Sequence, residues 1–437
     1  MPYTCDVSQD LALFGGKRAI QDAFPKFNSF DEREEAAALK VIRSANLSSF
    51  LGAPGSNFYG GEEVIRFEEA FSAKFKVSHS ISLNSWTSGL WAIMGALDLE
   101  PGSEVLVSTW TMAATATTIL HWGLIPVFVD IDAATFNVDF NDIVSKTTDK
   151  TRAIVSPDIF GLSAENVKLR DWCDRHKIYL VSDSAQSPLA TDEFGNLTGT
   201  LSHIGGFSLN YHKHIHTGEG GVVVTNSPEL AERVRMLRNH GEVAVGHGDD
   251  FQKRQRGILG MNLRMGEIEA AIGSVQLTKV EEIVHSRRRA GILLNEGLSN
   301  LPGLKTTFIP ENYQHSFYVS GFLLDYKDEP LLPSRDVLIA ALRAEGVPAL
   351  MSGYQNIHKL PLFRGQNAIG LDGWPYSLLP ESRREKIVNA ELSLAEIYHN
   401  QTFFGMNMCS HNFVDSEIEQ IVFAFQKIWK NLKSFQE

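Results

Sequence analysis

Residues 207–221 read FSLNYHKHIHTGEGG. An apolar run, Ile204 to Phe207, ends at this point, and one lysine, Lys213, stands among His212, His214 and His216. Gly218, Gly220 and Gly221 then let the backbone turn back closely. The residues alone leave three readings open. Lys213 is a solvated side chain beside a tight turn; or the histidines form a metal site; or a partly desolvated amine serves as a nucleophile that makes Schiff bases.

The flanking sequence narrows the choice. Short β-rich runs alternate with helical patterns from about 78 to 225: HSISLN (79–84), EVLVST (104–109), IPVFVDID (125–132), RAIVSP (152–157) and IYLVSDS (178–184), then HIGGFSL (203–209) and GGVVVTN (220–226). Continuous Val/Ile/Leu strands separated by helices predict a mostly parallel sheet covered on both faces, which binds ligands at the carboxyl ends of its strands. Only about ten residues separate the last two runs, and this spacing predicts an antiparallel neighbour. A long helical pattern over 263–298 leads to a smaller C-terminal part, with a strand at 316–326 and a helix over 334–346 that starts at a Ser cap and stops at Gly. The expected organisation is an N-terminal arm (1–30), a large domain (31–270), and a linking helix with a small α+β domain (271–437).

Composition bounds the function. The 437 residues are 43% hydrophobic and 21% charged, an ordinary globular balance, and the net charge of −12 argues against general nucleic-acid binding. The basic clusters at 253–256 and 286–290 are too small to reverse that. Cys5, Cys173 and Cys409 offer neither a disulfide framework nor a paired-cysteine zinc pattern. No stretch approaches the length of a bilayer span, and the first residues lack a secretory pattern, so a soluble cytoplasmic protein without a membrane partner is expected.

Three predicted strand ends carry unusual polar residues. NSWTSG (84–89) offers Ser85, Thr87 and Ser88 at a helix start, where hydroxyls and free N–H groups receive an anion or merely cap the helix. Asp183 directly follows an apolar strand, a costly place for a carboxylate without a positive partner. Lys213 is the third. An anion cradle, a carboxylate and an amine on one sheet edge are what pyridoxal phosphate needs for its phosphate, its ring nitrogen and its carbonyl carbon.

The chain resembles the DegT/StrS family of pyridoxal-phosphate sugar aminotransferases, along nearly its whole length. The opening stretch is similar to the family's S-F-x-x-x-K-x-x-x-x-G-E-G-G signature, with Ser208 and Lys213 in register, and VSDSAQSPLA matches its E-D-A-A-Q segment at Asp183 and Gln186. PGSEVLVSTWTMAATATTILHWGLIPVFVDID and GMNLRMGEIEAAIGSVQL (260–277) follow two further family patterns, in order and at fitting spacings. The resemblance implies an aspartate-aminotransferase-like fold, an α/β three-layer large domain with a small α+β domain. It implies that Lys213 forms the Schiff base and shuttles protons, that Asp183 keeps the ring nitrogen protonated, and that Gln186 contacts the ring hydroxyl. Thr87, Ser88 and Ser208 would hold the phosphate, and Asn262 would reach the phosphate of a neighbouring subunit in a homodimer. The amino donor would be L-glutamate or L-glutamine, and the acceptor a keto-sugar or keto-cyclitol.

Three departures stand out. Trp86 replaces a glycine of the family's S-G-T-A-A phosphate loop, so its bulk must point away from the cofactor or the loop must differ. Met112 takes the place of the aromatic ring that stacks on the cofactor, and Asp158 takes the place of a histidine. Tyr211, His212, Tyr354 and His358 are the expected substrate-pocket residues, with the 50–61 loop beside them. A sugar dehydratase of the same fold would carry histidine in place of Lys213. A non-catalytic relative would have no use for Lys213, Asp183 and Gln186 together.

Overall fold

The structure, a computed structural model, describes residues 11–241, 258–365 and 368–436. The basic cluster at 253–256 and the first ten residues of the arm lie outside the described residues.

Seven strands form the large sheet: β1 His79–Leu83, β2 Glu104–Ser108, β3 Ile125–Val129, β4 Thr151–Pro157, β5 Tyr179–Asp183, β6 Ile204–Ser208 and β7 Gly221–Thr225. Their order is β1-β7-β6-β5-β4-β2-β3. The run from β6 to β3 is parallel, whereas β7 is antiparallel to both β6 and β1, as the short link between the last two runs predicts. Val105, Leu106, Val107, Ile154, Val155, Leu180 and Val181 are fully buried, which is why these strands read as unbroken apolar runs. Each such side chain contributes roughly 1.5–3 kcal/mol of burial.

Because β7 runs backwards, its first residue returns to the edge that β6 has just reached, and Gly221 pairs with both Ser208 and Leu83. The Lys213 loop is thus anchored at both ends beside the carboxyl edge of the sheet.

The small domain holds an antiparallel sheet ordered β10-β11-β9-β8, from β8 Leu304–Lys305, β9 Val319–Leu324, β10 Leu350–Ser352 and β11 Phe403–Asn407. The helix Glu267–Leu298 links it to the large domain. The first part of the described arm packs on the small domain: Leu11 and Ile20 are buried with Leu294, Leu338 and Phe425. Glu345 accepts from the Ala12 and Ala19 N–H groups at 2.8 Å each, and pairs with Lys427 at 2.9 Å.

Between β10 and β11 the chain leaves the small domain and crosses to the large one. There Trp110 Nε1 donates to Asn356 Oδ1 at 2.8 Å and Ile357 N donates to Thr109 O at 3.2 Å. Rings from both domains, including Trp110, Phe136, Phe160, Tyr354 and Phe403, meet at this crossing. Among the described residues no helix is long and apolar enough to cross a membrane.

Candidate active site

A cavity of about 200 Å³ opens at the carboxyl edge of the large sheet. Thr87, Met112, Asp183, Gln186, Ser208, His212 and Lys213 all line it. Residues 126 positions apart in sequence (213 − 87) therefore share one small space. A wider groove, about 840 Å³, lies at the opposite ends of β2 and β4, and its Arg383 is spent on a 2.6 Å pair with Glu104.

Lys213 Nζ lies 4.5 Å from the centroid of the Tyr318 ring. Burial lowers its amine to about 8, against the raising effect of the Asp183 charge. A lysine so placed is uncharged in a useful fraction near neutrality, as a nucleophile must be.

Asp183, the last residue of β5, is buried with its carboxylate at the cavity. Oδ2 accepts from Thr115 Oγ1 at 2.7 Å, and Oδ1 accepts from the Trp86 indole Nε1 at 2.7 Å and from Ala185 N at 3.3 Å. Trp86 also lines the cavity, buried, with its indole N–H directed at Asp183. Room for its ring comes from glycines. A Cβ on Gly89 would stand 2.7 Å from the indole, one on Gly221 2.6 Å from the Trp86 backbone, and one on Gly206 would collide with the ring and the Val222 carbonyl.

The helix Trp86–Ala96 starts at the cavity, capped by Ser85, whose Oγ accepts from Ser88 N at 3.1 Å. Among the described residues no acceptor takes the Trp86 and Thr87 N–H groups, so the helix start keeps donors for an anion. Thr87 is exposed, and the Ser88 hydroxyl, half-buried, bonds to Ser85 Oγ at 2.9 Å. Ser208 Oγ accepts from Asn210 N at 3.3 Å across the same opening. Met112 is exposed at the cavity, where its sulfur accepts from Ala114 N at 3.4 Å and caps the next helix.

Gln186 reaches from the cavity to Tyr354, which lies outside the lining. Its Oε1 accepts from Phe160 N at 2.8 Å and its Nε2 donates to Tyr354 Oη at 3.3 Å. His358 is not brought to the cavity. It is buried, with Nδ1 2.5 Å from Thr109 Oγ1 and Nε2 3.3 Å from Glu396 Oε1, and it braces the crossing segment. Tyr211 is exposed, edge-on to His212. Asn262 is exposed and also outside the lining, its Oδ1 accepting from Arg264 N at 3.4 Å. The 50–61 loop lies outside the lining as well.

The histidines point three ways. His212 lines the cavity, lowered to about 4 by burial and by Lys213. His214 is fully buried, 2.8 Å from Ser316 O and lowered to about 3. His216 stacks on Phe30 at 4.7 Å. Among the described residues no group of three or more His, Cys, Asp or Glu side chains could hold a metal ion.

The basic cluster at 286–290 is committed to structure and forms no open patch. Arg287 is buried and donates to His411 O at 2.7 Å, Arg288 donates to His315 O at 3.1 Å, and Arg289 pairs with Asp415. Sequence reasoning missed Thr115 and the direction of the Trp86 ring. The three glycines were the available signal, but only the sheet order brings Gly206 and Gly221 beside Gly89.

The model of the DegT/DnrJ/EryC1/StrS aminotransferase family matches residues 51–372. The GDP-perosamine synthase of Vibrio cholerae is 31% identical over a stretch covering 69% of this chain and 79% of that protein. The dTDP-4-dehydro-2,3,6-trideoxy-D-glucose 4-aminotransferase of Saccharopolyspora spinosa is 28% identical, over 74% of this chain and 85% of its own. Among solved structures, DesI in the presence of its TDP-sugar product superposes with a TM-score of 0.78 at 25% identity, covering 98% of each chain.

Proposed function

This chain belongs to the DegT/DnrJ/EryC1/StrS aminotransferase family, and from that premise we propose that it moves an amino group from L-glutamate or L-glutamine to a ketone on a sugar. Aminotransferases of this family depend on pyridoxal phosphate. The side chains of the cavity fit that group: unspent N–H and hydroxyl donors at one end, a buried carboxylate at the other, and an amine between without a carboxylate on it. Bound there, the cofactor supplies a carbon that amines join reversibly and a ring that accepts the electron pair of a broken C–H bond.

The protein does the rest. Thr87, Ser88 and Ser208, with the free helix N–H groups, would hold the phosphate. Asp183 would keep a proton on the ring nitrogen, Gln186 would stand by the ring hydroxyl and Met112 by the ring face. Lys213 would hold the cofactor through its amine and, as the free amine, would take up and return the Cα proton of the amino acid. Amino donor and ketone use the cavity in turn, so the kinetics are ping-pong.

His212, neutral near pH 7, and Tyr354, anchored by Gln186, would meet the acceptor. Tyr211 would stand at the mouth, and Asn262, exposed in a single chain, would complete a site in a homodimer. Relatives named for nucleotide-linked sugars make such a ketone the first acceptor to try.

The observation that carries the proposal is the unpaired Lys213 amine beside Asp183 in one cavity. Absorbance of the purified protein with pyridoxal phosphate, before and after L-glutamate, tests it in wild type and Lys213→Ala. Wild type should show the lysine-linked visible band, converted by glutamate to the amine form of the cofactor, and Lys213→Ala should show neither. Identical spectra for the two proteins would overturn it.

A further inference from the structure

We propose that Trp86 is a positioning residue for Asp183: its indole N–H fixes one carboxylate oxygen so that the ring nitrogen of the cofactor keeps its proton. The inference rests on Asp183 being the carboxylate that meets that nitrogen. Two observations carry it independently of the family pattern, which has glycine here and so no side chain to donate.

The first is the bond itself. Trp86 Nε1 and Thr115 Oγ1 each stand 2.7 Å from a different oxygen of Asp183, and Thr111 Oγ1 is 2.9 Å from Thr115 Oγ1 behind it. Without the indole, Oδ1 would keep only the longer bond from Ala185 N at 3.3 Å, and the carboxylate would be held less firmly about its terminal torsion. With it, each oxygen has a donor at 2.7 Å, which fixes the carboxylate plane.

The second is the cost of seating the ring. Gly89 on the helix and Gly206 on β6 would each drive a Cβ into the indole ring, and a Cβ on Gly221 would meet the backbone that carries it. Trp86 is 6% exposed, next to the exposed Thr87. One residue thus ties the helix start at one end of the cavity to the carboxylate at the other. Filling the same slot with an apolar ring would need no partner on Asp183; the N–H is aimed at it.

The electrostatic consequence follows from which protonation state the donors favour. Hydrogen bonds to a carboxylate favour its charged form, and a charged carboxylate held in one plane favours a proton on the ring nitrogen that faces it. A proton shared between Asp183 and the ring nitrogen then stays on nitrogen. Without the indole N–H the carboxylate is freer to turn, and it holds the proton on the ring nitrogen less well.

The test uses full-length protein loaded with pyridoxal phosphate carrying ¹⁵N at the ring nitrogen. The ¹⁵N resonance is followed from pH 6 to 9 in wild type, Trp86→Phe, Thr115→Val and Asp183→Asn. In wild type it should hold the protonated position across the range. In Trp86→Phe it should move to the neutral position about one pH unit earlier, with cofactor affinity about tenfold weaker, the scale of one lost bond to a charged group.

Asp183→Asn should be displaced at every pH. If the Phe ring prevents folding, Trp86→Gly, which carries the residue of the family pattern, removes the same donor and must show the same displacement. Trp86→Phe or Trp86→Gly tracking wild type while Asp183→Asn is displaced would overturn the inference alone. Asp183→Asn also tracking wild type would overturn the assignment of Asp183 beneath it.

Discussion

The ends of β4 and β5 carry two buried carboxylates one strand apart, Asp158 and Asp183, and the Asp158 N–H donates to the Asp183 carbonyl at 3.0 Å. Both side chains border the same cavity, yet their partners differ in origin. Asp183 is held by an indole and a hydroxyl from two helices across the sheet edge. Asp158 is closed in by neighbours of the local turns: Ser184 Oγ at 2.5 Å, Ala164 N at 2.8 Å and Asn166 Nδ2 at 2.9 Å. Burial, with the Asp183 charge, pushes Asp158 up to about 6 despite those donors. Depth alone does not make a carboxylate functional. What matters is whether its donors leave lone pairs facing the space where a ligand sits.

Exchanging each carboxylate for its amide is the harshest way to break this comparison. Asp183→Asn should slow the glutamate half-reaction about 10²–10³-fold, the scale of losing one oriented charge in a water-poor site. Asp158→Asn should leave that rate within about fivefold. Single-turnover absorbance decides both. An Asp158→Asn enzyme as slow as Asp183→Asn would make the two strand ends equivalent and remove the distinction.

The expected cost of Asp158 is in stability, and its sign is fixed by the raised value. The folded state holds the Asp158 proton up to about pH 6, whereas an unfolded chain releases it near 4. Its contribution is therefore complete below about pH 4 and is lost as pH rises through 6. Relative to Asp158→Asn, wild type should lose on the order of 3 kcal/mol between pH 4 and 7, read as the difference between two urea-denaturation series. A flat difference would mean that Asp158 is ionised throughout.

The same contrast separates what could be read in the sequence from what could not. The strands of the large sheet, the antiparallel return of β7 and the meeting of Lys213 and Asp183 at one edge follow from apolar runs and turn residues, which are local signals, while Gln186 came only with the family resemblance. The crossing segment after β10 did not announce itself. His358 looks like a pocket residue beside Tyr354 in sequence, but its partner Thr109 lies 249 positions away and turns it into a brace. Arg287, Arg288 and Arg289 read as an open basic face, yet two are spent on carbonyls and one on Asp415, contacts made only when the helix Glu267–Leu298 packs between the domains. The bulk of Trp86 was visible as an anomaly. Its direction depends on Gly206 of β6, more than a hundred residues later in the chain.

The smallest expected effect sharpens the comparison from the side of the lysine. Burial lowers Lys213 to about 8, and the Asp183 charge is the largest influence acting the other way. Capture of pyridoxal phosphate by cofactor-free protein needs the uncharged amine, so its rate should rise about tenfold per pH unit and level off above about 8. Removing the Asp183 charge takes away the influence that supports the ammonium form. The plateau of Asp183→Asn should therefore begin at lower pH than that of wild type. Asp158→Asn should keep the wild-type plateau, because Asp158 is not among the groups that act on Lys213. Stopped-flow capture curves for the three proteins check this. A plateau that moves equally in both variants would mean that Lys213 feels the general charge of the sheet edge and not the one carboxylate facing it.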